Sequence, residues 1–303
     1  MSKCRKVVVL KNFIQHINSE ELMKLATFTY QNQTRIGAVI ENQIVDGLAD
    51  ASLPTDMIEF LEQGDSALQK MQALMTIEKN RIPLADVNLL APIPRPRKFL
   101  GIGLNYADHI DETGLEKPEY PMFFTKQSSC VIGQGEAIQI PPVSEKVDYE
   151  GELAFVIGKK CKNVSVENAH DVIAGFTIVN DVTVRDWQFR TPTWTIGKSF
   201  DTHGPIGPWI VTADEILNPH ALNLKTWVDD ELRQNSNTRY MMFNCYEMIA
   251  YLSQAMTLEV GDVVTTGTPS GVGVKMKPRG YLKAGQTVKI EIEGIGTLVN
   301  SVS

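Results

Sequence analysis

The sequence has no long uninterrupted apolar segment. No run in its 303 residues approaches the ~18 apolar residues needed to cross a bilayer, which argues against an integral membrane protein. Near the N-terminus, apolar residues 7–10 stand between Lys6 and Lys11, and this run is shorter than the ~7–15 residues of a secretory signal. We therefore expect a cytoplasmic protein that does not associate with membranes.

Cysteine is scarce, and basic charge is not in excess. The four cysteines include no C-x-x-C pair, so neither a zinc knuckle nor a disulfide framework is indicated, and we expect buried or incidental thiols. Lys and Arg number 29 against 36 Asp and Glu, a net charge of −7, whereas a nucleic-acid-binding surface needs a basic excess. The 43% of hydrophobic and 21% of charged residues are typical of a globular protein.

Residues 1–90 are predicted to form a small, β-rich N-terminal domain. Segments 25–29 and 35–45 carry β-branched and aromatic residues on either side of a turn at Asn32-Gln33, which indicates a short hairpin or meander.

A helix follows the hairpin. Asp56 supplies an N-cap, apolar residues then recur at helical spacing as far as Leu74, and Gly64 predicts a break. Three prolines within residues 91–97 remove backbone donors and fix φ, so this segment is read as a linker to a main domain of residues 98–303.

The main domain is predicted to be rich in strands. A strand is expected at 98–102, then a short polar helix or loop at 106–113, and then many short segments rich in Val, Ile and Thr between turn residues. Two helices are expected, over residues 166–172 and 246–256. The overall fold class is therefore α+β and β-rich.

Three acids surround the start of an apolar segment. Asp148, Glu150 and Glu152 point to one face if this segment is a strand, and a further acid, Asp181, ends another apolar run. Clustered carboxylates repel one another and are costly to desolvate unless a cation neutralises them. Oxygen-only ligands favour Mg²⁺ or Mn²⁺ over Zn²⁺. The alternative is that Glu150 and Glu152 lie on the solvent face of an edge strand.

Two further groups suit catalysis on an anion. His109 and Glu112 are three residues apart, so on a helix the carboxylate can orient the imidazole as a base; the alternative is a solvated surface histidine. Arg185 and Lys198 suit a carboxylate substrate, unless Arg185 only forms an ordinary ion pair.

A glycine-rich loop follows a predicted strand at residues 265–273. Such a loop presents backbone N–H groups and a hydroxyl to a small anion. It is neither a phosphate loop nor a nucleophile elbow, because the residue order of those motifs is absent.

Taken in order, these stretches resemble the fumarylacetoacetate hydrolase superfamily over about residues 98–302, and the single-core, FAHD2-like members are the most similar. The resemblance rests on five motifs: Gly103-x-Asn105-Tyr106-x-x-His109, Glu150-x-Glu152, Asp181-x-x-x-Arg185-Asp186, Gly197-Lys198-Ser199-Phe200-Asp201 and Thr266-Gly267-Thr268-Pro269-x-Gly271-Val272-Gly273.

The resemblance implies a mixed β-roll core, a homodimer and a small-molecule 2-oxo acid substrate. It implies Mg²⁺ or Mn²⁺ on Glu150, Glu152 and Asp181. It also implies a dyad of His109 and Glu112 on a lid that orders over substrate. The residues implied to contact the pyruvoyl end of the substrate are Arg185, Gln188, Lys198 and Thr268, of which Lys198 is counted with the dyad as catalytic. Asp148 is given no role.

Three functions remain open. The favoured one is metal-dependent hydrolysis of a C–C bond in an acylpyruvate or similar 2,4-dioxo acid, because both members of the dyad are present. The alternative is tautomerisation, isomerisation or decarboxylation of a 2-oxo dicarboxylic acid, such as a ring-cleavage product of aromatic catabolism or oxaloacetate. The third is a metal-binding relative without catalysis, against which the complete set of site residues argues.

Overall fold

The computed structural model describes residues 23–114 and 116–303. The N-terminal run at residues 7–10, from which a secretory signal was excluded, lies outside the described residues, as does Cys4. Cys130, Cys161 and Cys245 are free and buried, as expected of structural thiols. No helix in the described part of the chain is both long and apolar enough to cross a membrane.

Strands dominate the described part of the chain. They are β1 (Lys24–Tyr30), β2 (Gln33–Ile40), β3 (Gln43–Asp46), β4 (Arg81–Pro83), β5 (Asn88–Leu89), β6 (Phe99–Gly103), β7 (Met122–Lys126), β8 (Val131–Ile132), β9 (Val147–Asp148), β10 (Gly151–Ile157), β11 (Ile173–Asn180), β12 (Thr183–Val184), β13 (Gly204–Thr212), β14 (Asn223–Val228), β15 (Glu231–Asn237), β16 (Val263–Thr265), β17 (Thr287–Ile292) and β18 (Gly296–Ser301). The α-helices are α1 (Met57–Glu62), α2 (Asp65–Met75), α3 (Ala107–Thr113), α4 (Arg185–Gln188) and α5 (Cys245–Ala255).

The largest sheet runs through most of the molecule. Its strand order is β4-β3-β2-β1-β13-β11-β10-β16-β6-β7, with β5 on β1 and β8 on β13. The N-terminal strands therefore continue the sheet of the main part of the chain, because β1 pairs antiparallel with β13. A second sheet has the order β15-β14-β17-β18, and β9 pairs with β12.

The central strand β10 is buried on both faces. Leu153 and Phe155 pack in the same apolar cluster as the four-stranded sheet, whereas Ala154 and Val156 pack in the cluster that contains α1 and α2. Alternation of side chains along the strand places each set on its own face. The α+β, β-rich fold class is confirmed.

Local sequence signals located the helices well. The Asp56 side chain accepts hydrogen bonds from the N–H groups of Ile58 and Glu59 at 2.8 and 3.0 Å, and Gly64 separates α1 from α2 with a φ of 57°. α3 is a helix, the predicted 246–256 helix is α5, and residues Val166–Val172 form a 3₁₀ helix.

The first hairpin turn is one residue earlier than predicted. β1 and β2 are joined at Gln31-Asn32, with φ values of 50° and 60°, and not at Asn32-Gln33. A two-residue loop with both φ values positive matches the right-handed twist of the strands, so the register of the pair determines which residues turn.

Candidate active site

The three candidate metal ligands lie at one end of an antiparallel strand pair, where β10 begins and β11 ends. Gly151 at the start of β10 pairs with Asn180 at the end of β11, and the Asp181 N–H donates to the carbonyl of Glu150 at 2.9 Å. Antiparallel pairing therefore brings Asp181 beside Glu150 and Glu152, although the sequence separates them by about 30 residues.

The carboxylates of Glu150, Glu152 and Asp181 form one buried cluster. One oxygen of each lies within 4.8 Å of the others, and the residues are 4%, 2% and 0% exposed. The edge-strand alternative is thereby excluded, because β10 is a central strand and its acids are buried.

Three cations hold two of these carboxylates. Lys198 Nζ lies 2.6 Å from both Glu150 Oε2 and Asp181 Oδ2. Arg185 Nη1 lies 2.7 Å from Glu150 Oε1, and Lys126 Nζ lies 2.7 Å from Asp181 Oδ1. Burial alone would raise the pKa of Glu150, but the charges of Lys198 and Arg185 outweigh it and lower that pKa to about 2.

The pKa of Glu152 is shifted in the opposite direction from that of Glu150. Burial, together with the charges of Asp181 and Glu150, raises its pKa well above the ordinary value. Its Oε2 accepts the Gly267 N–H at 2.9 Å, and no ion pair to it occurs among the described residues. A divalent cation would neutralise this carboxylate, so the all-oxygen cluster fits Mg²⁺ or Mn²⁺.

The predicted dyad is formed on α3. His109 Nδ1 lies 3.0 Å from Glu112 Oε2, and the other oxygen of Glu112 accepts the Gly271 N–H at 2.9 Å. His109 is buried and lines the cavity that contains the carboxylate cluster. The solvated-histidine alternative does not hold.

Asn105 fixes the start of α3. Its amide donates to the carbonyls of Phe243 and Thr266 at 3.0 and 2.8 Å, and its carbonyl oxygen accepts the Phe243 N–H at 2.8 Å. At the helix itself, Ser236 Oγ donates to Asp108 Oδ2 at 2.7 Å. These contacts place His109 over the cluster.

The guanidinium of Arg185 forms hydrogen bonds through two of its nitrogen atoms. Its Nε donates to Asp148 Oδ2 at 2.8 Å, and its Nη1 also donates to Gln188 Oε1 at 3.1 Å. Its Nη2 is buried without a hydrogen-bond partner in the described part of the chain. One strong donor of Arg185 is thus left for a ligand.

The glycine-rich loop closes the other side of the cavity. Gly267 has a φ of 86°, which L side chains rarely adopt, and a Cβ there would meet the Asn105 side chain at 2.9 Å. Thr268 Oγ1 donates to the Gly151 carbonyl at 3.1 Å and accepts from Gln234 Nε2 at 2.8 Å. The loop therefore positions Thr268 beside the carboxylate strand.

The structure brings nearly all of the predicted site residues into one cavity. The volume of this cavity is about 50 Å³. Glu112 does not line it but contacts His109, which does. The predicted residues that line it are His109, Glu150, Glu152, Asp181, Arg185, Gln188, Lys198 and Thr268.

Two charged residues of the site, Lys126 and Asp148, received no role from the sequence. Lys126 is 3% exposed and also donates to the carbonyl of Lys198; its signal was a lone lysine at the end of the apolar segment that forms β7. Asp148 is not among the clustered carboxylates and forms an ion pair with Arg185 Nε at 2.8 Å.

Comparisons with known proteins agree with this geometry. The sequence profile described as fumarylacetoacetate (FAA) hydrolase C-terminal matches residues 98–303. The mitochondrial oxaloacetate tautomerase fahd2 of Xenopus laevis is 45% identical over 273 residues, which are 88% of this chain and 86% of that protein.

Two solved structures have the same fold. Fumarylacetoacetate hydrolase from Exiguobacterium antarcticum is 36% identical, with a TM-score of 0.83 over 93% of this chain and 99% of that one. Maleylpyruvate hydrolase from Sphingobium sp. SYK-6, in complex with manganese (II) ion and pyruvate, is 33% identical, with a TM-score of 0.78 over 92% and 98%. The chain belongs to the fumarylacetoacetate hydrolase family.

Proposed function

We propose that this protein is a divalent-metal-dependent tautomerase that interconverts the keto and enol forms of a 2-oxo dicarboxylic acid of the oxaloacetate kind. The observation that carries the proposal is the His109–Glu112 pair, which presents one imidazole base to a small cavity beside the carboxylate cluster. Similarity to the Xenopus tautomerase supports this reaction over the C–C hydrolysis that the motifs alone favoured.

The metal would be held by Glu150, Glu152 and Asp181. When bound, Mg²⁺ or Mn²⁺ supplies a Lewis acid that stabilises negative charge on the oxygen atoms of a 2-oxo acid. Asp148 and the cluster contribute four carboxylates against the three cations Lys126, Arg185 and Lys198. A divalent ion would therefore raise the charge of the site by two, which favours binding of an anionic substrate.

The substrate carboxylate is assigned to Arg185. Arg185 lines the cavity, and its Nη2 has no hydrogen-bond partner among the described residues. A charge-assisted hydrogen bond from this atom to a carboxylate is among the stronger ones. Gln188 and Thr268 line the same cavity and offer neutral polar contacts. Together they orient the pyruvoyl end of the substrate.

His109 transfers the proton. Glu112 accepts the hydrogen bond from Nδ1, which assigns the hydrogen to that nitrogen and leaves the lone pair on Nε2. Nε2 takes the proton from C3, the C3–H electron pair becomes the C2–C3 double bond, and the carbonyl oxygen gains the negative charge. Transfer of the proton from His109 Nε2 to that oxygen gives the enol and restores the neutral imidazole, and the reverse steps regenerate the keto acid.

The test is the rate of keto–enol relaxation of oxaloacetate, followed by enol absorbance with saturating Mg²⁺. Because the free ion also catalyses this reaction, each rate is compared with the same buffer without protein. We expect His109→Asn to lower kcat by about 10²- to 10⁴-fold, the usual contribution of a general base. The exposed His170 gives the control H170N, which should retain the rate of the parent.

Hydrolysis is the competing outcome. Proton NMR of acetylpyruvate incubated with the protein would show pyruvate and acetate if a C–C bond were cleaved. Cleavage without any acceleration of oxaloacetate tautomerisation would overturn the proposal in favour of an acylpyruvate hydrolase, since the Sphingobium neighbour is a maleylpyruvate hydrolase.

Assembly and compartment also remain proposals. We propose a homodimer that acts on a small-molecule 2-oxo acid, and light scattering of the purified protein measures the subunit number. The Xenopus relative is named as mitochondrial, whereas the cytoplasmic location inferred here stays a prediction.

A further inference from the structure

The cavity of the candidate active site has an apolar wall. Besides the charged and polar residues described above, it is lined by Ile102, Leu104, Phe124 and Trp194. Ile102 belongs to β6 and Phe124 to its partner β7, whereas Trp194 comes from the segment between α4 and β13. A distant part of the chain therefore supplies an indole to a wall that is otherwise built on β6 and β7.

Two glycines of β6 leave room for the aromatic rings of this wall. A Cβ at Gly101 would meet the Phe124 ring at 2.4 Å. A Cβ at Gly103 would meet Cζ3 of the Trp194 indole at 2.3 Å, so each ring lies directly against the strand backbone. The centroids of the two rings are 5.8 Å apart and their planes are inclined at 60°, which is an edge-to-face contact. Phe124 and Trp194 thus form one aromatic surface on β6.

This aromatic surface adjoins the reacting groups. Lys198 Nζ lies 4.9 Å from the centroid of the Phe124 ring, which is within the range of a cation–π contact. The same Nζ lies 2.6 Å from the carboxylates of Glu150 and Asp181. A ligand bound at the carboxylate cluster is therefore next to the aromatic surface.

The backbone fixes the position of Trp194. Its φ of 61° is rare for a bulky side chain and persists only where the surroundings impose it. Its carbonyl accepts the Lys198 N–H at 3.2 Å, and the Gly197 carbonyl accepts the Val184 N–H at 2.8 Å. Leu104, which lines the same cavity, also has a positive φ, of 51°. The segment that presents Lys198 to the carboxylates therefore also presents the indole to the cavity.

We propose that Trp194 determines specificity by excluding 2-oxo acids that are branched at C3. The inference rests on the proposed function, because it assumes that the carboxylate of the ligand lies at Arg185 and its C3 beside His109. Both residues line the same cavity of about 50 Å³ as Trp194. An unbranched C3 carries only hydrogens beside the indole, whereas methyl groups there would overlap with a ring that is packed against strand backbone and cannot give way.

The test compares two ligands that differ only at C3. Pyruvate carries hydrogens on this carbon, and 3,3-dimethyl-2-oxobutanoate carries methyl groups in their place. Calorimetry with Mg²⁺ present should show at least about tenfold weaker binding of the branched acid to the parent, as expected for overpacking of a tight site. In Trp194→Ala the ratio of the two dissociation constants should fall to about one, because the space of the indole becomes available. Trp194→Phe keeps a smaller ring and should give an intermediate ratio.

A matched variant controls for the loss of an indole. Trp227 lies on β14 and is not among the residues that line the cavity, so Trp227→Ala should keep the ratio of the parent. A ratio of about one in the parent, or the parental ratio in both Trp194 variants, would overturn the inference. Absence of the oxaloacetate reaction in the parent would instead overturn the proposed function, since the binding ratio does not depend on turnover.

Discussion

Asp148 shows how one buried acid connects separate parts of the site. Its oxygens accept from Arg185 Nε, from the N–H groups of Gly273 and Val274, and from its own neighbour Tyr149. The residue is fully buried, so each lost contact would leave a donor away from water. It orients Arg185 without lining the cavity itself.

Asp148→Asn should therefore impair substrate binding. The asparagine amide has the shape of the carboxylate but lacks the charge that offsets Arg185. Its NH₂ group would face the N–H donors of Arg185, Gly273 or Val274 and cannot accept from them. We expect KM to rise by about 10-fold or more and the free energy of unfolding to fall by about 3 kcal/mol, as for a broken buried ion pair. Steady-state kinetics and urea titration measure the two effects.

The exposed Asp230 supplies the control. Asp230→Asn changes the net charge equally and should leave KM and stability at parental values. If D148N had a parental KM, Asp148 would have no positioning role for Arg185.

At the scale of elements, α3 depends on its surroundings. A helix of seven residues is marginal on its own in water, and it carries both members of the dyad. Its position comes from Asn105 before it and from the Ser236 contact with Asp108. Tertiary hydrogen bonds, not helix propensity, hold His109 in place.

Asn105→Ala should loosen α3. The change leaves the carbonyl groups of Phe243 and Thr266 without their donor in a buried position, and we expect a cost of about 1–3 kcal/mol. Amide hydrogen exchange of residues 107–113 should accelerate, and kcat should fall more than KM changes, because the base loses its position.

Ser236→Ala provides a graded comparison. It removes only the hydrogen bond to Asp108. Hydrogen exchange of the same amides should therefore accelerate less than in the Asn105→Ala variant. Unchanged exchange in N105A would mean that other contacts suffice to hold the helix.

On the scale of the whole molecule, the site places three carboxylates in the core, and ion pairs hold two of them, Glu150 and Asp181. Glu152 stands near two other carboxylates and has a raised pKa because of burial and their charges. Burial of the Glu152 charge opposes folding unless a further cation is bound. A metal ion should thus stabilise the entire fold, because binding to the native state alone adds to its stability.

Removing the metal should lower the melting temperature. With Mg²⁺ at about 100 times its Kd, binding adds ~2.7 kcal/mol, which corresponds to several degrees for a chain of this size. EDTA should abolish this difference in the parent protein, as measured by scanning calorimetry.

Two glutamate variants test whether the cluster is the origin of that effect. Glu152→Gln removes one of the repelling charges, so it should melt no lower than the parent in EDTA and should lose the Mg²⁺ response. The exposed Glu167 gives the control E167Q, which should respond to Mg²⁺ like the parent. If Mg²⁺ raised the melting temperature of E152Q as much as that of the parent, the ion would bind at another site.

The sequence by itself determined the local structure and the identity of most candidate groups. The N-cap at Asp56, the break at Gly64 and the location of α5 follow from capping and from helical periodicity, which act over a few residues. The motifs around His109, Glu150 and Thr268 likewise indicated which chemistry to expect.

Only the tertiary structure decided which charges meet. Lys126 pairs with Asp181, and Asp148 with Arg185 and with the segment that follows Gly271, because strand order and register bring distant positions together. No local pattern encodes such neighbours, since the energy of a buried charge depends on the groups around it in space. For the same reason, only the folded chain shows that Glu112 and the segment from Lys275 to Arg279 line one cavity.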